Sequence, residues 1–450
     1  MKRFLIPIVV LLVAGAAVAG YFLTRPAPVT EVVVWSWDVA ATGLQEQVAS
    51  FEADPANANI KIRVEDLGNQ QVYDQGIAGC VAGGAGMPDV YSVENNEAEV
   101  FWARFPECFT DLAPLGAAAL RADFPEFKWA ELTVGDRIHA IPWDSGPVVY
   151  FYRRDMFEQA GVDPARIATW GDLITAGNLV KTTVGTNVRM GTINKGGDDE
   201  WFRMLANQAD CFYFDDAGRE VTVNQGGCVI ALQTIKSLWD AQVLAPGDWT
   251  GQIQLIKNDA VAGALFGAWY AGTLQNEAPE QSGQWGVIRV PSLTQDGVRA
   301  ANLGGSALAI PASSEKKEAA FAFIRHALAT TPGQIRMLEC CGLVPSYLPA
   351  TRAPEASAPV AYFGGQPIWE LVLATLGDVP AVRGTQHFQV AREIMVAIVS
   401  DYLDGNFTSA EEALDEAAAR ISAATTLPVA KVLPARDNRG EAGRGEGAGN

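Results

Sequence analysis

Tryptophans next to carboxylates or other aromatic residues are the side chains of this sequence best suited to bind a ligand. There are 12 tryptophans among 450 residues. Five adjacent pairs stand out: Trp37-Asp38, Trp143-Asp144, Glu200-Trp201, Asp248-Trp249 and Trp269-Tyr270. A sugar presents apolar C–H faces, which an indole ring can cover, and hydroxyl groups, from which a carboxylate can accept hydrogen bonds. The pairs therefore indicate carbohydrate binding, although each pair alone fits a core tryptophan beside a turn residue equally well.

The motifs of several enzyme classes are missing from the sequence. It has no G-x-x-x-x-G-K-[ST] phosphate loop and no C-x-x-C motif, and Gly304-Gly305-Ser306 is not a G-x-S-x-G nucleophile elbow. The three histidines, His139, His326 and His387, are widely scattered. We therefore expect no enzymatic activity, no cofactor and no metal site. For the acidic segment Asp198-Asp199-Glu200 there are two interpretations, a solvated loop or a set of calcium ligands.

The charge balance narrows the choice of partners. The chain has 33 basic and 52 acidic side chains, for a formal net charge of -19. Such a chain repels phosphate backbones and anionic lipid headgroups. Nucleic acid is therefore not expected as a partner.

Six cysteines allow 15 pairings, among which sequence alone cannot choose. Their spacing favours Cys80 with Cys108 and Cys211 with Cys228, the latter across a hairpin that turns at residues 215–218. Cys340 and Cys341 are adjacent and are left over from these pairings. They form either a vicinal disulfide near a ligand cleft or two free thiols. Disulfides require an oxidising compartment.

The N-terminus predicts such a compartment. Lys2 and Arg3 precede an apolar run that ends in the A-x-A sequence at residues 17–19, as in a secretory signal peptide. Residues 1–23 are therefore a signal peptide or, because 4–23 can span a bilayer, an uncleaved anchor. Residues 24–30 are a stiff tether, and the Gly/Arg/Glu-rich residues 434–450 are a disordered tail.

Strand and helix patterns alternate in two successive units. Val32-Val33-Val34-Trp35 and Val148-Val149-Tyr150-Phe151-Tyr152 are continuous apolar strands of the buried type. Thr169 and Asp172 have the spacing of a capping box at the start of a helix. A later helix is expected to have its cap near Ser313 or Ser314, and the last helix begins at Ser409. This alternation predicts an α/β fold with helices on both faces of its sheets.

Several segments resemble the extracellular solute-binding proteins of ABC importers, in the sugar-binding group typified by maltose-binding protein. The resemblance covers Val32 to Ile421. Its most specific segments are Ile141-Pro142-Trp143-Asp144, Val149-Tyr150-Phe151-Tyr152-Arg153-Arg154-Asp155-Met156-Phe157, Thr169-Trp170-Gly171-Asp172-Leu173, Ala262-Gly263-Ala264-Leu265-Phe266-Gly267-Ala268-Trp269, Gly304-Gly305-Ser306 and Gly342-Leu343-Val344-Pro345. Arg153 departs from the family pattern, which usually has Asn there.

The resemblance implies a two-lobed, type II-like binding-protein fold with the ligand in a cleft between lobes joined by a multi-segment hinge. The N-lobe would comprise residues 31–143 and 301–330, and the C-lobe residues 144–300 and 331–428. The implied ligand-binding residues are Trp37, Asp38, Glu94, Asn95, Asp144, Trp201, Trp249, Trp269, Tyr270, Gly305 and Ser306.

The implied function is capture of a sugar outside the cytoplasm, by hinge closure, and delivery to a membrane permease powered by a cytoplasmic ATPase. The protein would be an exported monomer in the periplasm or at the cell surface. Two alternatives remain open. The same fold could bind a polyamine or a polyol phosphate, or the chain could be a secreted glycoside hydrolase or lyase, because paired carboxylates also suit that chemistry.

Overall fold

The computed structural model describes residues 29–380 and 385–431. The predicted signal peptide or anchor, most of the tether and the predicted disordered tail lie outside these residues. The first strand begins at Thr30, the last residue of the expected tether. Within the described ranges, no helix is both long and apolar enough to cross a membrane.

The described residues contain fourteen strands and fifteen α-helices. The strands are β1 Thr30–Ser36, β2 Ile60–Asp66, β3 Val90–Glu94, β4 Thr133–Val134, β5 Arg137–Ile138, β6 Ala140–Pro142, β7 Asp144–Ser145, β8 Val148–Arg153, β9 Gly191–Ile193, β10 Leu244–Pro246, β11 Gly263–Gly267, β12 Trp285–Arg289, β13 Ser306–Ala309 and β14 Val344–Pro345. The helices are α1 Asp38–Ala53, α2 Asn69–Val81, α3 Asn95–Arg104, α4 Glu126–Leu132, α5 Arg154–Ala160, α6 Trp170–Thr183, α7 Glu200–Gln208, α8 Gly226–Asp240, α9 Trp249–Lys257, α10 Tyr270–Glu277, α11 Lys317–Leu328, α12 Thr331–Cys341, α13 Ile368–Leu373, α14 Phe388–Leu403 and α15 Ala410–Thr425.

The larger sheet has the strand order β2-β1-β3-β13-β6. Strands β1, β2 and β3 are parallel, as the continuous apolar sequence of β1 predicts for that strand, whereas β13 is antiparallel to both of its neighbours. A smaller antiparallel sheet has the order β11-β8-β12, with β8 buried along its whole length. Strands β9 and β10 pair separately and in parallel.

Two hydrophobic cores correspond to these sheets. One core packs around β1, β3, β6 and β13 together with α1 and α11. The other packs around β8, β11 and β12 together with α6, α8, α14 and α15. Since residues 306–328 join the first core, the chain returns to that core after building most of the second. The domain boundaries given above stay a prediction.

Local features largely follow the sequence patterns. Thr169 and Asp172 form the predicted capping box, and the Ser409 hydroxyl accepts from the N–H of Glu412 at the start of α15. The expected cap at Ser313 or Ser314 is wrong: α11 begins at Lys317 without a side-chain cap. Ser314 lies before the helix, where its hydroxyl accepts from the N–H of Lys316 at 3.1 Å and donates to Asp89 at 2.8 Å.

All six cysteines are paired in disulfides. Cys80 joins Cys108 and Cys211 joins Cys228, as their spacing predicts. The Cys211–Cys228 loop contains the expected turn, with the N–H of Gly218 donating to the carbonyl of Asp215 at 2.8 Å.

Of the two alternatives for Cys340 and Cys341, the structure shows the vicinal disulfide, at the end of α12. The carbonyl of Cys341 lies so close to Gly272 of α10 that a β-carbon on that glycine would stand 2.2 Å from it. The disulfide therefore lies where helices of the two cores meet.

Candidate functional site

The carboxyl ends of the parallel strands bring several predicted site residues together. Ser306 of β13 pairs in register with Glu94 at the end of β3. The N–H of Asn95 donates to the carbonyl of Gly305 at 3.0 Å, and the N–H of Ser306 donates to Oδ1 of Asp144 at 2.8 Å. Ligands of open α/β sheets bind at this end of the strands. These five residues therefore form one wall of a candidate cleft.

Glu94 is a half-buried carboxylate on this wall. Its Oε1 accepts from Asn69 Nδ2 at 3.2 Å, and its backbone N–H donates to the Tyr73 hydroxyl at 2.9 Å. Burial, followed by the charges of Glu97, Glu200 and Asp144, raises the pKa of Glu94 to about 7 in opposition to Arg203. Since Glu200 and Arg203 lie on α7 in the other core, charges from both lobes act on one carboxyl group.

Trp37 and Asp38 follow β1 but face different surroundings. Trp37 is buried, and its ring centre lies 5.7 Å from that of Tyr73, so it packs in the core. Asp38 is exposed at a backbone φ of 44°, and its N–H donates to Asp66 Oδ1. Partial burial, followed by the charge of Asp66, raises the pKa of Asp38. Asp38 is thus the exposed residue of this pair, whereas Trp37 belongs to the core.

An aromatic wall lies on the other lobe. It consists of Trp249 at the start of α9, Phe266 of β11, Trp269 and Tyr270. Phe266 stacks on Tyr270 with ring centres 4.3 Å apart, and Trp269 donates its indole N–H to the carbonyl of Leu303 at 2.9 Å. Tyr270 is fully buried, whereas Trp249 is 49% exposed. Trp249 therefore offers the larger free ring surface, and Tyr270 holds the wall from the core.

Trp201 does not join this wall. It is buried, donates its indole N–H to the carbonyl of Thr192 at 2.7 Å and packs against Trp170. Its neighbour Glu200 is only partly buried, and its pKa is raised to about 7 by burial and by Asp198. Of this pair, the carboxylate is the partly exposed group, and the indole belongs to the core.

The two lobes touch at the rim of the cleft. Gln389 of α14 donates its side-chain amide to the carboxylate of Glu97 on α3. On the same side, Arg203 pairs with Asp199, with 2.9 Å between Nε and Oδ1. Trp269 and Tyr347 each pack against both cores. Tyr347 was not singled out from the sequence, although it directly follows Ser346 and the Gly342-Leu343-Val344-Pro345 segment.

Three chain segments cross between the lobes and hydrogen-bond to one another. Strand β7 pairs with β14, and the hydroxyls of Ser145 and Ser346 are 2.9 Å apart. The N–H of Leu303 donates to the carbonyl of Gly146 at 2.8 Å. A β-carbon at Gly146 would lie 2.1 Å from the carbonyl oxygen of Leu303, so only glycine fits there. These contacts form the hinge predicted from the resemblance.

A group of polar side chains is buried where the hinge meets the strand ends. We call it the polar niche; it consists of Asn95, Lys128, Glu131 and Asp144, with the backbone of Gly305 beside them. Asn95 donates its amide to Glu131. Burial raises the pKa of Glu131 to about 7 against the opposing effects of Lys128 and Asn95. Lys128 and Glu131 on α4 were missed in the sequence, where the only hint is a lysine between two aromatic residues.

The described part of the chain contains no group of three or more His, Cys, Asp or Glu residues arranged to hold an ion.

A family model described as bacterial extracellular solute-binding protein matches residues 34–334. The lactose-binding protein of Rhizobium radiobacter is 27% identical over 375 residues, which cover 82% of this chain and 87% of that protein. The arabinooligosaccharide-binding protein of Bacillus subtilis (strain 168) is 25% identical over 410 residues, covering 87% of this chain and 92% of that protein.

The structure of an ABC transporter associated binding protein from B. animalis subsp. lactis Bl-04, in complex with beta-1,6-galactobiose, superposes with a TM-score of 0.75. It is 24% identical and covers 88% of this chain and 98% of that one. This similarity confirms the predicted two-lobed α/β fold.

Proposed function

The chain belongs to the family of bacterial extracellular solute-binding proteins, and from that premise we propose that it is the carbohydrate-binding subunit of an ABC importer. The family is one of binding proteins that act outside the cytoplasm. On this proposal a membrane permease and a cytoplasmic ATPase complete the importer, and the N-terminal segment directs or tethers the chain to the outer side of the membrane.

The observation that carries the proposal is the pairing of two unlike walls across one hinge. The half-exposed ring of Trp249, with Trp269 beside it, offers an apolar face. The strand ends opposite offer the carboxylates of Glu94 and Asp144. A sugar needs both kinds of contact, because its ring faces are apolar and its rim is polar. A ligand that touches both walls stabilises the closed form, since it makes the full set of contacts only when the lobes approach.

A screen by thermal unfolding tests the proposal. The probes are lactose and arabinotriose, chosen after the relatives, and beta-1,6-galactobiose, chosen after the structural neighbour. A sugar at about 100 times its Kd should add about 2.7 kcal/mol to the free energy of unfolding. Spermidine and glycerol 3-phosphate serve as controls for the polyamine and polyol phosphate alternatives. If none of the three sugars raises the melting temperature or changes tryptophan fluorescence, the proposal is wrong.

The hydrolase alternative has its own control. The protein is incubated with the sugar that stabilises it, and new reducing ends are measured. On our proposal the sugar is recovered intact. Release of reducing ends at a rate proportional to the protein concentration would instead make the chain an enzyme.

A further inference from the structure

We propose that Lys128 and Asn95 form a ligand subsite at the base of the cleft, which binds hydroxyl groups of a neutral sugar ring. In this subsite the Lys128 ammonium donates to a ligand oxygen and Asn95 Oδ1 accepts from a ligand hydroxyl. The inference rests on the proposed function, because it assumes that a sugar occupies the cleft.

The first observation is a buried ammonium group with unused donors. Lys128 is 1% exposed, and its ammonium interacts with the charges of Glu131 and Asp144 without a hydrogen bond from either of them. An ammonium has three N–H donors, and a buried charge is costly unless those donors are used. Glu131 and Asp144 favour the charged form of Lys128, while burial lowers its pKa. The group therefore needs oxygen acceptors from outside the described chain.

The second observation is an acceptor with the complementary need. Asn95 is 5% exposed, and its Oδ1 is buried without a partner. The rest of Asn95 is fixed, because its amide donates to Glu131 and its N–H donates to the carbonyl of Gly305. A hydroxyl group can accept from Lys128 and donate to Asn95 at once, which satisfies both groups.

The third observation is the close approach of the hinge backbone to the ammonium at a glycine. Gly305 has φ of 96°, a conformation that favours glycine. A β-carbon there would lie 3.0 Å from Lys128 Nζ and 3.1 Å from the carbonyl oxygen of Asp144. The glycine thus lets the hinge backbone approach the ammonium closely, next to Gly304, whose own β-carbon would meet Trp269 Nε1 at 3.1 Å. The subsite and the aromatic wall are therefore neighbours.

The charges in the polar niche select a neutral ligand group. Lys128 already stands beside the carboxylates of Glu131 and Asp144, so the niche has no surplus positive charge. A uronate or phosphate group would be repelled by these carboxylates, whereas a hydroxyl group would not.

Calorimetry on a Lys128→Met variant tests the subsite, using whichever of lactose, arabinotriose and beta-1,6-galactobiose binds the unmodified protein. Loss of a charged hydrogen bond predicts binding weaker by about 10- to 100-fold. Lys316→Met is the matched control. It removes a lysine that pairs with Asp89 at 2.9 Å, before the opposite end of β3, and should leave the affinity within about twofold.

If Lys128→Met does not fold, Lys128→Arg replaces it, because arginine keeps the charge but its larger planar head changes the donor geometry. A folded Lys128 variant that binds the sugar within about twofold of the unmodified protein overturns the subsite but leaves the proposed function intact. If the unmodified protein binds none of the three sugars, the proposed function fails and the subsite fails with it.

A second measurement separates direct contact from an indirect structural role. Monodeoxy analogues of the bound sugar are titrated against both proteins. The analogue that lacks the contacting hydroxyl should bind the unmodified protein at least about tenfold more weakly than the parent sugar does. In Lys128→Met the two sugars should bind equally well. A penalty of equal size in both proteins for every analogue refutes direct contact. An analogue with a carboxylate at C6 of the terminal ring should bind the unmodified protein more weakly than the neutral sugar, and tighter binding would refute the charge argument.

Discussion

Replacing Trp249 with alanine should weaken sugar binding severalfold more than any other single change on the aromatic wall. An aromatic side chain contributes roughly 150–250 Å² of surface. Trp249 is 49% exposed, so a sugar that covers the free part removes roughly 100 Å² from water. At about 25 cal/mol per Å² this is worth about 2.5 kcal/mol, or about 70-fold in Kd.

The structure around Trp249 makes this experiment interpretable. The carboxylate of Asp248 accepts from the N–H of Gly251 at 2.7 Å and caps α9, so the helix start does not depend on the indole ring. Removing the ring also removes its contacts with Phe266 and Tyr270. The melting temperature should therefore fall by a few degrees.

The matched control is Trp239→Ala. Trp239 is a partly exposed tryptophan on α8 that contacts Lys195 instead of the aromatic wall. The Trp239→Ala substitution should lower the melting temperature by a similar amount and leave the Kd for the sugar unchanged. Calorimetry at 25 °C on both folded variants decides the matter. A Trp249→Ala variant that binds the sugar within about twofold of the unmodified protein would show that the ring is not a ligand contact.

Three further outcomes are expected. Asp144→Ala should weaken sugar binding by about 10- to 100-fold, and it should lower the melting temperature because it also leaves the N–H of Ser306 unpaired. Asp144→Asn can keep the bond to Ser306; if this variant binds the sugar normally in calorimetry, Asp144 serves only the structure of the hinge. The pKa of Glu94 is about 7 in the folded protein, above its value in the unfolded chain. The folded state therefore binds this proton more tightly, and stability should rise as the pH falls from about 8 to 5; in melting curves over this range Glu94→Gln should be more stable than the unmodified protein at pH 8 and show a weaker pH dependence. Replacing Cys211 and Cys228 by serine should cost about 3 kcal/mol in denaturant unfolding, since the bond closes a 17-residue separation; an unchanged free energy of unfolding would contradict this.

Local patterns in the sequence were sufficient for much of the fold. The capping box of Thr169 and Asp172 depends on residues three apart, and the β8 strand depends on a continuous apolar run, so neither needs distant information. The position of Ser314 does depend on distant information, because its partner Asp89 is far away in the sequence. The helix that it was expected to cap begins later, at Lys317.

The candidate site divides in the same way. Strand ends predict where Glu94 and Asn95 stand, because parallel strands share one edge of a sheet. Nothing local distinguishes Trp201, which packs in the core, from Trp249, which is half exposed. Lys128 was missed because its importance arises from the approach of Gly305, which is distant in the chain.

The central position of β13 also affects the order in which the protein can fold. This strand lies between β3 and β6, yet more than 160 residues of chain separate it from β6. At roughly 5–20 residues per second, a ribosome makes it roughly ten to thirty seconds after β6. Until then β3 and β6 have open edges and the first lobe cannot complete its sheet. Folding of the first lobe is therefore delayed until β13 has been made, and a delay of this kind suits an exported protein.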